Sequence, residues 1–420
     1  MTVIGFVREA AWLHRARATA YGRMLAAGMG LALSYHWLSL CLGHHPGVPA
    51  VDPGKLGPTD FVAFWVAGRF ALSGHVASAW DLAALGPAEH RVAALDAGAV
   101  LAFFYPPTFL LLCLPFAALP YLAGFAAFVA AQSAGLLLLL KRILPAGWGW
   151  LPVLSFPGLL LNAATGQNGF ISAACLAVPV LLLERRPWLA GAALGGLAFK
   201  PHLALCVPVA LLAARRWQAL AAAALSAALF AALAWWVLGT ASYQAFIASL
   251  PAVRDTLEHQ AGDWGKLQSV YTTARLCGAP LALAYAVQTG LAVCVMAALA
   301  RVCWRRPGAG AEGAALASAA MLCTPHLLDY DLAATGVPLA WLARQASVTG
   351  WRPWEKVIAA LAFLWPLVAR VLTQQAQLPL GPMILVALFW LVCRRGSREQ
   401  KSFGSFFQER TLPFAHALDR

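Results

Sequence analysis

Long apolar runs alternate with short charged clusters from one end of the chain to the other. Residues 18–43, 121–140 and 217–239 are almost free of charge. Helices of that length cross a hydrocarbon core about 30 Å thick. Between the runs lie basic clusters at 8–23, 141–142, 185–186, 215–216, 301–306, 344–356 and 394–401. Lys and Arg remain on the cytoplasmic side of a membrane, so each cluster marks an inner end. This assignment predicts a first span over about 18–43 and a large outer segment over 44–120. Spans follow at about 121–140, 150–165 and 168–183, then one at 217–238 and a second outer segment over 239–276. Four or five further spans lead to a cytoplasmic C-terminus.

Two apolar stretches do not fit as full spans. "FFYPPTFLLLCLPFAALP" (103–120) would reverse the orientation of everything after it. Its prolines 106, 107, 115 and 120 also suit no single regular helix. It reads as an interfacial or re-entrant segment on the outer side. "WLAGAALGGLAFKPHLALCVPVALLA" (188–213) has basic pairs at both ends. One helix of that length would measure ~39 Å and leave one pair outside. Two arms of about twelve residues, broken at Lys200 and Pro201, return to the same side after reaching ~18 Å into the bilayer. Interrupted backbone at such depth requires protein or a wet cavity around it.

Composition agrees with the pattern. The 420 residues are 61% hydrophobic and 11% charged, and the mean hydropathy is +0.70. Soluble domains carry about 25% charged residues. The fold class is therefore an all-α polytopic membrane protein, with a membrane domain over 1–393 and a basic cytoplasmic tail over 394–420. The net charge of +13 reflects orientation and attraction to the membrane surface, and nucleic acid is not an expected partner. The nine cysteines are scattered and lie mostly in apolar runs, where they act as small hydrophobes. No small-residue cleavage site follows the first apolar run, so that run is expected to stay as a span.

On this topology the unusual ionisable groups gather at the outer face. Asp60, Arg69, His75 and Asp81 lie in the first outer segment, and Gln167 and Asn168 of "TGQNG" at an outer turn. Arg254, Asp255, Glu258, His259, Asp263, Lys266 and Arg275 lie in the second, and His326, Asp329 and Asp331 of "TPHLLDYD" at another turn. Lys200 approaches from within the bilayer.

Asp60 opens an apolar run and so reads first as a helix N-cap. Arg69, nine residues on, faces the other side of the same helix and is no partner. A carboxylate so placed in apolar surroundings can also act as a general base. Asp81 reads as an N-cap. His326 and Asp329 would be neighbours if helical, and a simple ion pair would account for them. Lys200 beside a helix break reads as an anion-binding group rather than a snorkelling lysine. No metal-ligand spacing and no nucleotide-binding motif occurs, so no metal or cofactor is expected. An activated group would have to arrive through the lipid.

The order of "DFVAFWVAGRFALSGHVASAWD", "FFYPPTFLLLCLPFAALP", "TGQNGFISAACLAVPVLLLERR", "LAGAALGGLAFKPHLALCVPVALLAARRW", "LQSVYTTARL" and "TPHLLDYD" resembles glycosyltransferase family 87. These are the polyprenyl-phosphate-mannose-dependent α-1,2-mannosyltransferases of the GT-C fold. The resemblance implies a bundle of roughly 10–12 transmembrane helices with a large first periplasmic loop and a broken re-entrant hairpin. It implies a polyprenyl-phosphate sugar donor as co-substrate and a glycolipid or polysaccharide acceptor. Its catalytic aspartate falls on Asp60. Where the family carries Trp-Asp-His, this chain has Leu328, Asp329 and Tyr330, with His326 earlier.

The expectation is thus an inverting hexose transfer, of mannose by resemblance, at the periplasmic face of a bacterial inner membrane. Asp60 would be the base, and Lys200, Arg275 and Arg254 would bind the donor phosphate. Asp81, Gln167, Asn168, His326 and Asp329 would contact substrate. A flippase or transporter of lipid-linked sugars is the competing class, but it would carry polar residues near the midplane, inverted repeats and paired discontinuous helices, whereas this chain has one broken hairpin, no visible repeat and its charges massed outside. An envelope-glycan polymerase is the other.

Overall fold

In the computed structural model the protein is helical throughout. The structure describes residues 2–42, 59–96, 98–259 and 264–411, and for 397–411 the helical backbone alone. An antiparallel bridge joins Leu267 and Leu328.

The chain opens with α1 (Val3–Glu9) and α2 (Arg15–Cys41). The described part of 44–120 forms α3 (Phe61–Leu72), a 3-10 turn (Val76–Trp80), α4 (Leu82–Val92) and α5 (Pro107–Ala117). Next come α6 (Tyr121–Ile143), α7 (Leu151–Leu154), a turn (Pro157–Leu159), α8 (Leu160–Thr165) and α9 (Gly169–Leu182). One span was expected over 150–165. Instead Phe156, which precedes Pro157, is extended (φ −77°, ψ 113°) and the helix restarts. Proline disfavours the helical conformation of the residue before it, which breaks the run.

α10 (Pro187–Gly195) tightens into a 3-10 turn (Gly196–Phe199) and breaks at Lys200 (φ −140°, ψ 66°). The chain resumes as a turn (Pro201–Ala204) and α11 (Val207–Ala213), then α12 (Trp217–Leu238). α10 lies against α12 through small residues. A Cβ on Gly191 would meet the Ala219 carbonyl oxygen at 2.1 Å, and one on Gly195 would meet that of Ala223 at 2.4 Å. Equal steps along both helices mean that they run parallel. Such close backbone approach is how helices pack when lipid offers no hydrophobic drive. Continuing this register puts Lys200 beside the middle of α12.

The remaining helices are α13 (Thr240–Glu258), α14 (Val270–Leu276), α15 (Leu281–Trp304), α16 (Ala309–Leu322), α17 (Gly336–Thr349), α18 (Glu355–Gln374) and α19 (Gly381–Thr411). A 3-10 turn (Asp329–Thr335) joins α16 to α17. The segment 239–276 is mostly helix, with α13 packed on the Val76–Trp80 turn. α19 passes residue 394 without interruption. Among the described helices, α2, α6, α12, α15 and α18 are long and apolar enough to cross a membrane.

The bundle has two chemically different ends. At one, Arg216 binds Glu312 (3.0 Å) and Glu184 (2.7 Å), and Arg306 donates to the Ala214 carbonyl. There too Arg395 binds Glu355, Thr349 and Gly350, and the Trp354 amide donates to the Arg8 carbonyl. Basic clusters far apart in sequence are therefore joined at a common end. The other end carries the polar cluster described next.

Candidate active site

An aromatic floor supports the site. The Phe61 ring lies 5.8 Å from Tyr121 and 5.2 Å from Phe128, and Phe64 contacts Phe103, Tyr105 and Phe109. The Thr59 and Tyr121 hydroxyls are hydrogen-bonded at 2.5 Å, which pins the start of α3 to α6. Asp60 sits on this floor at the N-terminus of α3, half-buried. Its carboxylate makes no capping bond, so the N-cap reading does not account for it. Arg69 instead lies over the Trp65 ring.

The "TGQNG" loop closes on the turn after α16 because its glycines permit it. Gly166 has φ +72°, and a Cβ there would strike Phe61 and Phe125 at 2.8 Å. A Cβ on Gly169 would meet the Tyr330 carbonyl oxygen at 2.2 Å. Asn162 bridges the two segments, donating to that carbonyl (2.8 Å) and accepting from the Gly169 amide (2.8 Å). Tyr105 and Tyr330 join through their hydroxyls at 3.0 Å.

Two buried carboxylates in this turn each hold a cation. Lys200 Nζ donates to Asp331 (2.6 Å) and to Asn168 Oδ1 (3.0 Å), and lies 4.4 Å from the Tyr330 ring centroid. Arg370 Nε donates to Asp329 Oδ2 (2.6 Å), while Oδ1 accepts from the Tyr330 amide (2.9 Å). Burial raises Asp329 to about 6 against the opposing pull of Arg370, and the charge of Asp60 adds to the rise. Asp60 is thus an electrostatic neighbour of Asp329. Burial and the Lys200 charge push His326 down to about 4, which leaves its imidazole neutral. His326 packs edge-on against His202, with centroids 5.9 Å apart.

Gln167 Oε1, Asn168 Nδ2 and His202 Nε2 are buried without a hydrogen-bond partner among the described residues. Buried polar atoms are normally satisfied, so these three are open to hydrogen bonds from a substrate.

Asp60, Gln167, Asn168, Lys200, His326 and Asp329 are therefore brought to one region. Asp81 is an exposed N-cap of α4, accepting from the Ala83 amide at 2.9 Å. Arg254 pairs with Glu258 one turn away on α13, its side chain 74% exposed. Arg275 donates to the Ala279 carbonyl (3.0 Å), and its buried Nε has no partner among the described residues. Asp263 lies outside the described residues. His326 and Asp329 are not helical neighbours, because the chain is irregular there and Asp329 pairs with Arg370.

Arg370, Tyr105 and Asn162 were not singled out from the sequence, Tyr330 was noted only as standing where the family carries a histidine, and Asp331 was noted without a role. Arg370 did leave a signal: it is a lone arginine near the end of the apolar helix α18. Among the described residues no three His, Cys, Asp or Glu side chains converge as metal ligands.

Comparison with known families settles the class. The model for glycosyltransferase family 87 matches residues 103–325, just over half of the 420 residues. The chain belongs to glycosyltransferase family 87. No curated protein and no solved structure gives a match. The family 87 match covers Tyr105, Gln167, Asn168 and Lys200. Asp60 precedes it and Asp329 follows it, and the fold brings both to the matched residues. Family membership and the helical multi-span fold identify a glycosyltransferase that acts at a membrane.

Proposed function

We propose that this family 87 member is an inverting transferase that moves a hexose from a polyprenyl-phosphate donor to a glycolipid or glycan acceptor. The hexose is mannose, by family resemblance. The reaction takes place at the periplasmic face of a bacterial inner membrane, with 188–213 as a re-entrant hairpin and the basic end of the bundle in the cytoplasm. The observation that carries this reading is the uncapped Asp60 carboxylate beside buried, unpaired amides.

In this mechanism Asp60 accepts the proton of an acceptor hydroxyl as that oxygen bonds to the anomeric carbon. The bond from that carbon to the phosphate oxygen breaks, and the lipid phosphate leaves with the electron pair. Base and leaving group lie on opposite faces of the ring, as in other inverting glycosyl chemistry.

Charge on the departing phosphate must be met by preorganised cations. Lys200 lies within reach of the bilayer interior and contributes hydrogen-bond donors. Asp331 offsets its charge, so the leaving group meets that pair as nearly neutral. Arg275 pairs with no carboxylate among the described residues, and in this reading it supplies the positive charge; Arg254, expected to share that task, is already neutralised by Glu258. Gln167, Asn168, His326 and Asp329 orient the sugar and acceptor.

The test is sugar transfer in membranes containing wild type or Asp60→Asn, with labelled polyprenyl-phosphate mannose and a lipid extract as acceptor. Transfer by wild type and a loss of at least about 100-fold in a normally inserted Asp60→Asn is expected for removal of a general base. Equal transfer by both proteins would remove Asp60 from the chemistry.

A further inference from the structure

We infer that a second site, at the basic end of the bundle, holds the phosphate headgroup of an anionic phospholipid. A cavity of about 240 Å³ lies between α15 and α19, lined by Ala298, Arg301, Val302, Arg305, Trp390, Cys393 and Arg394. Its wall contains three arginines and no carboxylate.

The arginines around this cavity differ from their neighbours. Arg306 donates to Ala214, Arg216 is held by two glutamates, and Arg395 is buried against Glu355. Arg301 and Arg305 have no hydrogen bond or ion pair among the described residues. Arg394 lies over a ring face, that of Trp390, with its Cζ 5.1 Å from the ring centroid. Arg301 and Arg305 are also spaced four apart, so like charges share one helix face, an arrangement that is unfavourable without a counter-ion. No carboxylate in the wall offsets the three charges, which leaves them available to a bound anion.

The level of the cavity identifies the source of that anion. Trp390 is 48% exposed and Trp304 61% exposed. Tryptophans project in this way where hydrocarbon gives way to headgroups. Arg215 lies over the Trp304 ring, so the cationic surface continues along that level. Basic pockets between helices at this depth suit lipid phosphates. The site lies at the opposite end from Asp60 and does not depend on the proposed reaction.

The experiment uses full-length protein stripped of lipid in a neutral detergent. Its melting temperature is measured against phosphatidylglycerol, phosphatidylcholine and inorganic phosphate. Phosphatidylglycerol should give a saturable upward shift that the other two do not. R301Q/R305Q/R394Q should lose the shift, and R185Q/R186Q, which removes exposed charge at the same end, should keep it. Loss of the shift in both variants, or in neither, would overturn the site. An equal shift from inorganic phosphate or phosphatidylcholine would overturn the anionic lipid as its occupant. Should the triple variant fail to fold, phosphatidylglycerol retention by Arg394→Gln is read by native mass spectrometry. About fivefold weaker retention is expected, from ~1 kcal/mol per arginine, and unchanged retention would count against the proposal.

Discussion

At the residue scale, the site depends on charges that are costly to separate. Lys200 and Asp331 are both nearly inaccessible. Removing one partner leaves the other buried and uncompensated, at ~3–5 kcal/mol. Lys200→Met and Asp331→Asn should each lower stability strongly in detergent, and the double variant should recover much of the loss. Additive losses across the double-mutant cycle would show that the two groups act independently.

Glu89 behaves differently. It accepts from the Leu101 amide through Oε2 while Oε1 is buried and unpartnered. Burial raises it from 4.5 to about 7. The folded state then holds this proton at pH values where the unfolded chain has released it. Its contribution to stability is complete below about 4.5 and declines as pH rises through about 7. Melting temperature should therefore fall between pH ~5 and ~8, and Glu89→Gln should flatten that dependence. An unchanged slope in the variant would assign it to other groups, Asp329 among them.

At the scale of elements, the break at Lys200 and its packing partner can be tested through glycine. Gly191→Ala would drive a methyl into the Ala219 carbonyl, whereas a Cβ on Gly196 meets only the Cys175 sulfur at 3.4 Å. Gly191→Ala should sharply reduce the yield of monodisperse protein on size-exclusion chromatography, and Gly196→Ala should leave it near wild type. Equal yields would mean that α10 does not lie on α12 at this distance. The break itself was legible in the sequence, because Pro201 cannot continue a helix and basic pairs flank both arms. The fragmentation of 150–165 was less so. Apolar composition made that stretch resemble one span, although Pro157 was available to interrupt it. The helix α13 within 239–276 is not evident from the sequence because its charges mark it as polar surface, and polarity alone does not distinguish loop from an exposed helix.

For the whole molecule, two ends with different chemistry give the bundle a direction. Arg216 ties Glu184 and Glu312 together at the basic end. The sequence placed these charges on one side through their spacing, and the fold joins them there. At the other end the sequence identified Asp60, Lys200, Gln167, Asn168, His326 and Asp329 as candidates to converge. It also nominated Asp81, which the structure uses as a helix cap, and Arg254, which pairs locally on an exposed face.

Arg370 tests the whole arrangement, because it reaches the site from α18, outside the family match. Arg370→Gln removes the cation that opposes the burial of Asp329, so Asp329 should titrate above about 6. If transfer requires the ionised form of Asp329, the acid limb of the pH–rate profile should move upward in this variant. An unmoved limb would separate Asp329 from the rate.

Hydropathy and charge spacing are properties of consecutive residues, so the sequence by itself determined the membrane class, the long apolar helices and the helix break at Lys200. Which groups meet was decided only by tertiary structure. Lys200 finds Asp331 across 131 positions and Arg370 finds Asp329 across 41. A buried charge takes whichever partner helix packing brings within about 3 Å, and that packing is set by glycine contacts and helix breaks far from the charge itself.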